Sequence, residues 1–100
     1  MERSKEPSEL VPLTDLAFNI LLTLKDAELH GYGLLKQLRE RTGRAKLRTG
    51  TVYAALARLQ DEKLVEEATG AGASDEDERR RYYRVTTLGL AVARLEAQRL

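Results

Sequence analysis

The sequence contains no cysteine and a single histidine, His30, so neither a disulfide framework nor a zinc site of the usual ligand types has material to form. Catalysis has little more to draw on. Ser4, Ser8 and Ser74 fall in tail or loop composition with no neighbouring base to activate them, and the carboxylates cluster on loop-like stretches. The expectation is a protein that is not an enzyme and carries no metal or cofactor. No apolar run approaches the roughly 18 residues that span a membrane. Met1 to Pro7 lack the apolar core of a signal peptide, and a cytoplasmic location is expected. Gly31 and Gly33 make no phosphate-binding loop, because no strand signal precedes them and no third glycine follows at the required spacing.

What is present suits one small domain. The 100 residues are 42% hydrophobic and 33% charged, and a chain of this length buries roughly 60 to 65% of the surface its unfolded form exposes. The net charge of +1 conceals strong segregation of sign. Six bases (Lys36, Arg39, Arg41, Arg44, Lys46, Arg48) lie between positions 36 and 48 against one acid, Glu40. Six acids (Glu66, Glu67, Asp75, Glu76, Asp77, Glu78) then occupy positions 66 to 78 with no base, and Arg79, Arg80, Arg81 and Arg84 follow. A local basic field of this kind steers an anionic partner even when the total charge is close to zero.

Along the chain, residues 1–12 carry Pro7 and Pro12 without a sustained period and read as a flexible tail. Leu13, Leu16, Ala17, Ile20, Leu21 and Leu24 recur at helical spacing on one broad apolar face. After a break at 26–31, a second helix is expected from about Gly31 to Thr42, with Leu34, Leu35 and Leu38 inward and Gly43 at its end. His30, near that helix start, reads as a structural hydrogen-bonding group.

A third helix follows a short basic connector, with Thr49 placed to cap it and Val52, Ala55, Leu56 and Leu59 as its apolar stripe. At about 100° per residue, Gly50, Tyr53, Ala54, Ala57 and Arg58 share another side. That side is oddly bare for a surface. Either the helix is buried on two sides, or this face lies close against something large and anionic. The second and third helices together form a helix-turn-helix candidate.

The period then changes to that of a strand at Leu64 to Ala68 and again at Arg80 to Val85, with a loop between them. In the second strand either tyrosine, Tyr82 or Tyr83, can face inward. Thr86 can cap a last helix, Thr87 to Leu100, whose apolar residues divide between two sides: Leu88, Ala91, Val92 and Leu95, and Leu90, Ala93, Ala97 and Leu100. Two apolar faces on one terminal helix point to a homodimer, unless the first helix covers the second face within the protomer.

The ordered set His30-Gly31-Tyr32, Gly50-Thr51-Val52-Tyr53-Ala54-Ala55-Leu56-Ala57-Arg58-Leu59, Leu64-Val65 and Arg81-Tyr82-Tyr83-Arg84-Val85-Thr86 with Gly89 resembles the PadR family of winged-helix transcriptional regulators, in its short form. The likeness runs from about Leu13 to Leu95. Three positions where the family usually has proline, glycine and proline read Ala54, Lys63 and Thr87, and the wing carries the acidic run Asp75 to Glu78.

The resemblance implies a mainly α fold with a small β-hairpin (α+β), a winged helix-turn-helix with three helices, two strands and a last helix used for dimerisation. Residues 13–85 would be the DNA-binding domain and residues 86–100 the dimerisation helix. It further implies a dimeric repressor of double-stranded operator DNA, and some relatives respond to small molecules, which makes a small-molecule effector a candidate partner. Few of the contacts named next can read a base, which points to a pseudo-palindromic operator read through DNA shape and half-site spacing. The implied DNA contacts are Lys46, Arg48, Thr49, Gly50, Thr51, Tyr53, Ala54, Ala57 and Arg58 on the third helix and its approach, with Arg79, Arg80 and Arg81 on the wing. Leu16, Ile20, Leu90, Ala93, Ala97 and Leu100 are the expected dimer interface. Two other readings compete: a winged-helix module that binds another protein, supported by the acidic wing, and a small-molecule sensor without DNA binding.

Overall fold

A computed structural model of the chain describes residues 6–68 and 81–100. In chain order they form a short 3-10 turn (Pro7–Leu10), α1 (Asp15–Asp26), β1 (Leu29–His30), α2 (Gly31–Thr42), α3 (Thr49–Asp61), β2 (Val65–Ala68), β3 (Tyr82–Val85) and α4 (Thr87–Arg99). Several helix ends have a local cause. Thr14 caps α1 by accepting the Ala17 N–H at 3.1 Å, and His30 caps α2 through Nδ1, which accepts the Gly33 N–H at 3.1 Å. Gly43, at φ 72°, takes the left-handed conformation that ends α2.

The exit from α3 is a Schellman motif. The Leu64 N–H donates to the Leu59 carbonyl at 2.9 Å and the Lys63 N–H to the Gln60 carbonyl at 3.0 Å. Both leucines are buried, which supplies the apolar contact that accompanies this cap. The motif needs a left-handed residue, and Lys63 fills that place at φ 65°. The position where a glycine was expected is therefore a tight turn made by lysine.

Among the described residues the sheet has three strands rather than two, in the order β1-β3-β2, all antiparallel. The break expected at 26–31 contains β1, whose Leu29 lies opposite Tyr83 and His30 opposite Tyr82. Two residues are too few for periodicity to reveal. Tyr83 is buried and Arg84 exposed, which decides the register left open by the sequence. Burial, and then the neighbouring Tyr53 and Glu67, raise the Tyr83 hydroxyl above its ordinary pKa, with Arg81 opposing them. On the outer face Arg84 meets Glu66, its cross-strand partner, at 3.1 Å and Glu28 at 3.7 Å.

The core gathers Ile20, Leu21 and Leu24 of α1, Leu34 and Leu38 of α2, and Val52, Leu56 and Leu59 of α3, closed by Leu64, Val65, Tyr83 and Val92. The stretch expected as a tail contributes as well: Leu10 is buried, and the 3-10 turn packs on α4. An apolar side chain at the end of one helical turn anchors a segment that its prolines alone would have left loose.

The last helix buries Gly89, Val92, Ala93 and Glu96. Its inward face runs between the two apolar sides expected from the sequence. Leu88, Ala91 and Leu95 become a half-buried flank, while Leu90, Ala97 and Leu100 face outward. Thr86 starts the helix by accepting the Gly89 N–H at 2.9 Å, and it donates its hydroxyl to the Lys63 carbonyl at 2.6 Å. The same residue thus joins the α3 exit to the α4 start.

Candidate nucleic-acid interface

The two sides of α3 separate cleanly in the fold. Val52, Leu56 and Leu59 are buried, whereas Thr49, Gly50, Thr51, Tyr53, Ala54, Ala57 and Arg58 are all exposed. The reading in which the helix is buried on both sides is therefore excluded within the protomer. Arg48, not Thr49, is the N-cap, and its side chain makes no capping bond; Thr49 is the first helical residue. The extended backbone of Arg48 ends the connector one residue earlier than the Thr49 cap would require.

The basic block divides into cations held by the fold and cations left outside it. The Arg39 guanidinium donates through Nε and Nη2 to the Leu47 carbonyl, at 3.0 and 2.7 Å. Arg44 pairs with Asp15 at 3.0 Å. Lys46, Arg48 and Arg58 are exposed and enter no ion pair among the described residues. Lys46 and Arg48 stand at the start of α3, where free helix N–H groups and basic side chains together favour a phosphate, and Arg58 stands in its last turn.

Tyr53 has a second role besides exposure. Its ring lies over Gly31 at the start of α2, so that a Cβ there would overlap the Tyr53 hydroxyl. Tyr32, beside it in sequence, is 70% exposed, and its ring stacks on His30 at 6.5 Å. Of the three wing arginines, Arg81 is exposed with Glu67 at 3.6 Å, and Arg79 and Arg80 lie outside the described residues, as does the acidic run 75–78.

The family model of the transcriptional regulator PadR-like family matches residues 20–95. The chain belongs to the PadR-like family of transcriptional regulators. Its fold agrees with that family: a PadR family regulator from Clostridium difficile is 29% identical, with 86% of each chain covered and a TM-score of 0.73. A PadR-like regulator from Bacillus cereus is 32% identical over 84% of this chain and 79% of the other, also at 0.73. RosR of H. salinarum is 26% identical over 89% of this chain and 74% of the other, at 0.73. A search of curated proteins finds no match. Among the described residues no helix is long and apolar enough to cross a membrane, and no group of three or more potential metal ligands occurs.

The expected dimer surface is only partly available in this PadR-like protomer. Ile20 is fully buried and Ala93 is 7% exposed, so both serve the protomer's own core. Leu90 at 38%, Leu100 at 78% and the exposed Ala97 remain outside, with Leu16 half-buried on α1. Leu16 also lines a groove of about 610 Å³ between residues 9–17 and α3, whose walls include Leu13, Ala17 and Leu59 and which shares Ala54 and Arg58 with the exposed face of α3.

The buried Glu96 has no counterpart among the sequence-based expectations. One carboxylate oxygen accepts the Leu13 N–H at 2.7 Å and the other accepts from Arg99 at 2.7 and 3.1 Å. The Arg99 guanidinium first, and then the Leu13 N–H, hold its carboxyl below the ordinary carboxylate value against the opposing effect of burial. Its position four residues after Val92, on the inward side of α4, was the available signal.

Proposed function

We propose that the protein is a dimeric transcriptional repressor that binds double-stranded operator DNA by laying the exposed face of α3 in the major groove. The observation that carries this reading is the bare outer side of α3, small at Gly50, Ala54 and Ala57, with the exposed cations Lys46, Arg48 and Arg58 around it. Small side chains let a helix backbone lie deep in a groove about 12 Å wide, and an alanine methyl can touch a thymine methyl. Thr49, Thr51, Lys46 and Arg48 would hold phosphates at the helix start, while Arg58 reaches a phosphate or a guanine edge. Arg79, Arg80 and Arg81 would add wing contacts. Most of these contacts position the protein, so DNA shape and half-site spacing carry much of the specificity, on a pseudo-palindromic site matched to the two-fold dimer.

The test is a titration of the protein against its own upstream DNA over a range of salt. Removing Arg48 and Arg58 together should weaken binding and flatten the plot of log affinity against log salt by about 0.9 for each phosphate ligand removed. An unchanged slope would take both arginines off the DNA.

A small-molecule effector is a second element of the reading. The groove between residues 9–17 and α3 falls in the size range of organic-ligand sites and shares Ala54 and Arg58 with the DNA face. A ligand there would compete with DNA, and mass spectrometry of the purified protein for a bound small molecule tests it.

A further inference from the structure

The connector between α2 and α3, residues 43–48, has little regular structure to hold it. One backbone bond closes its turn, from the Leu47 N–H to the Arg44 carbonyl at 3.2 Å, and the N-cap at Arg48 has no side-chain bond. A helix start without a capping side chain is free to fray. Arg44 ties the first half of the connector, through its ion pair with Asp15 at 3.0 Å and its N–H to the Thr42 hydroxyl at 3.3 Å, and two features hold the second half, next to α3. The Leu47 side chain is buried at 8% exposure, and the Leu47 carbonyl receives both Nε and Nη2 of Arg39, a half-buried residue near the end of α2, at 3.0 and 2.7 Å. The planar guanidinium offers two donors in a fixed geometry, so one side chain sets both the distance and the direction of that carbonyl. Lys46 and Arg48 flank Leu47 directly and are exposed.

We infer that Arg39 is a positioning residue for DNA binding: its guanidinium fork on the Leu47 carbonyl fixes the connector, so that Lys46, Arg48 and the start of α3 are presented together. This rests on the DNA-binding reading above and adds to it a residue that touches no DNA. Arg39 belongs by sequence to the basic block, yet its charge acts inward. The consequence is a separation between affinity and salt dependence, because losing the fork misplaces phosphate ligands without removing one.

Two variants test this on the full chain. Arg39→Met keeps an apolar stem and removes every donor, and Arg39→Lys keeps the charge but not the fork. Hydrogen exchange at the Leu47 and Val52 amides, which donate to the Arg44 and Arg48 carbonyls at 3.2 Å each, should quicken in both. Affinity for a duplex of the chain's own upstream DNA should fall about tenfold in Arg39→Met, the loss expected from one bond by a charged donor, with the salt slope unchanged. Arg39→Lys should recover less than half of that loss on a logarithmic scale. A slope flattened by about 0.9 in Arg39→Met and restored in Arg39→Lys would make Arg39 a phosphate ligand and overturn the inference. Unchanged affinity would overturn it also. If Arg39→Met does not fold, Arg39→Lys decides alone by the same two readouts, unchanged values counting against the inference. If the wild-type chain does not bind the duplex, the DNA reading itself fails, while the exchange rates still report whether the fork holds the connector.

Discussion

The Tyr53 hydroxyl occupies the space that a side chain at Gly31 would need, so the start of α2 and the exposed face of α3 are fitted to each other. Tyr53 is 44% exposed, which gives its ring somewhere to go. Gly31→Ala should therefore displace the ring and leave the fold nearly intact, with a stability change within about 1 kcal/mol, since Gly31 is the first residue of α2 and alanine suits a helix better than glycine. Thermal melts should barely move while affinity for the operator falls. A large drop in melting temperature would mean that the ring cannot yield.

Gly89 presents the opposite case. A Cβ there would meet the Leu64 backbone carbonyl and the Val85 side chain. Backbone at the α3 exit cannot swing aside, because the Thr86 N–H donates to that same carbonyl at 3.0 Å. Gly89→Ala should cost about 1 to 3 kcal/mol, the range for overpacking, read by urea denaturation. A neutral result would show that α4 can lift from the turn.

Lys63 is the non-glycine residue at positive φ among the described residues. The left-handed conformation costs an L-residue about 1 to 2 kcal/mol, part of which glycine returns through its greater freedom when unfolded. Lys63→Gly should raise stability by about 0.5 to 1 kcal/mol at the Schellman turn, measured by the same denaturation. Destabilisation would indicate that the lysine side chain contributes more than its backbone costs.

Glu96 makes the fold sensitive to acid. Its folded carboxyl titrates below the ordinary value, so its contribution to stability is complete above the ordinary carboxylate range and is lost as pH falls through the lowered value. Glu96→Gln keeps an oxygen for the Leu13 N–H and removes the charge facing Arg99. The stability gap between wild type and variant should be constant near neutrality and narrow on acidification. A gap independent of pH down to strong acid would assign the loss to packing alone.

Leu90 and Ala97 are exposed on α4, which is where the proposed dimer would bury them. Replacing both with aspartate should give a folded monomer in sedimentation velocity. An intact dimer would move the interface elsewhere.

Much of the fold follows from short-range pattern. The periods of α1, α2 and α3, the capping residue Thr86, the stop at Gly43 and the inward Leu34, Leu35 and Leu38 are all local properties that adjacent residues carry. The motif order around Gly31, Tyr53 and Arg81 to Thr86 was equally legible, and it led to the family. Other features lay beyond reach because they join distant positions. Glu96 is bonded to Leu13, and Arg39 to Leu47 across the connector, and no periodicity encodes such pairs. The strand at Leu29–His30 exists because β3 supplies its hydrogen bonds.

By itself, the sequence determined which residues could share a helix face and where charge of each sign would concentrate, since both depend only on spacing along the chain. Tertiary structure decided which faces were spent. It placed Val52, Leu56 and Leu59 in the core and left Gly50, Ala54 and Ala57 outside; it buried Ile20 and Ala93, and it gave Arg39 and Arg44 partners within the protomer while leaving Lys46, Arg48 and Arg58 exposed. The physical reason is burial: an apolar stripe states that a face wants a neighbour, and only the packed arrangement of all the elements says which neighbour it has.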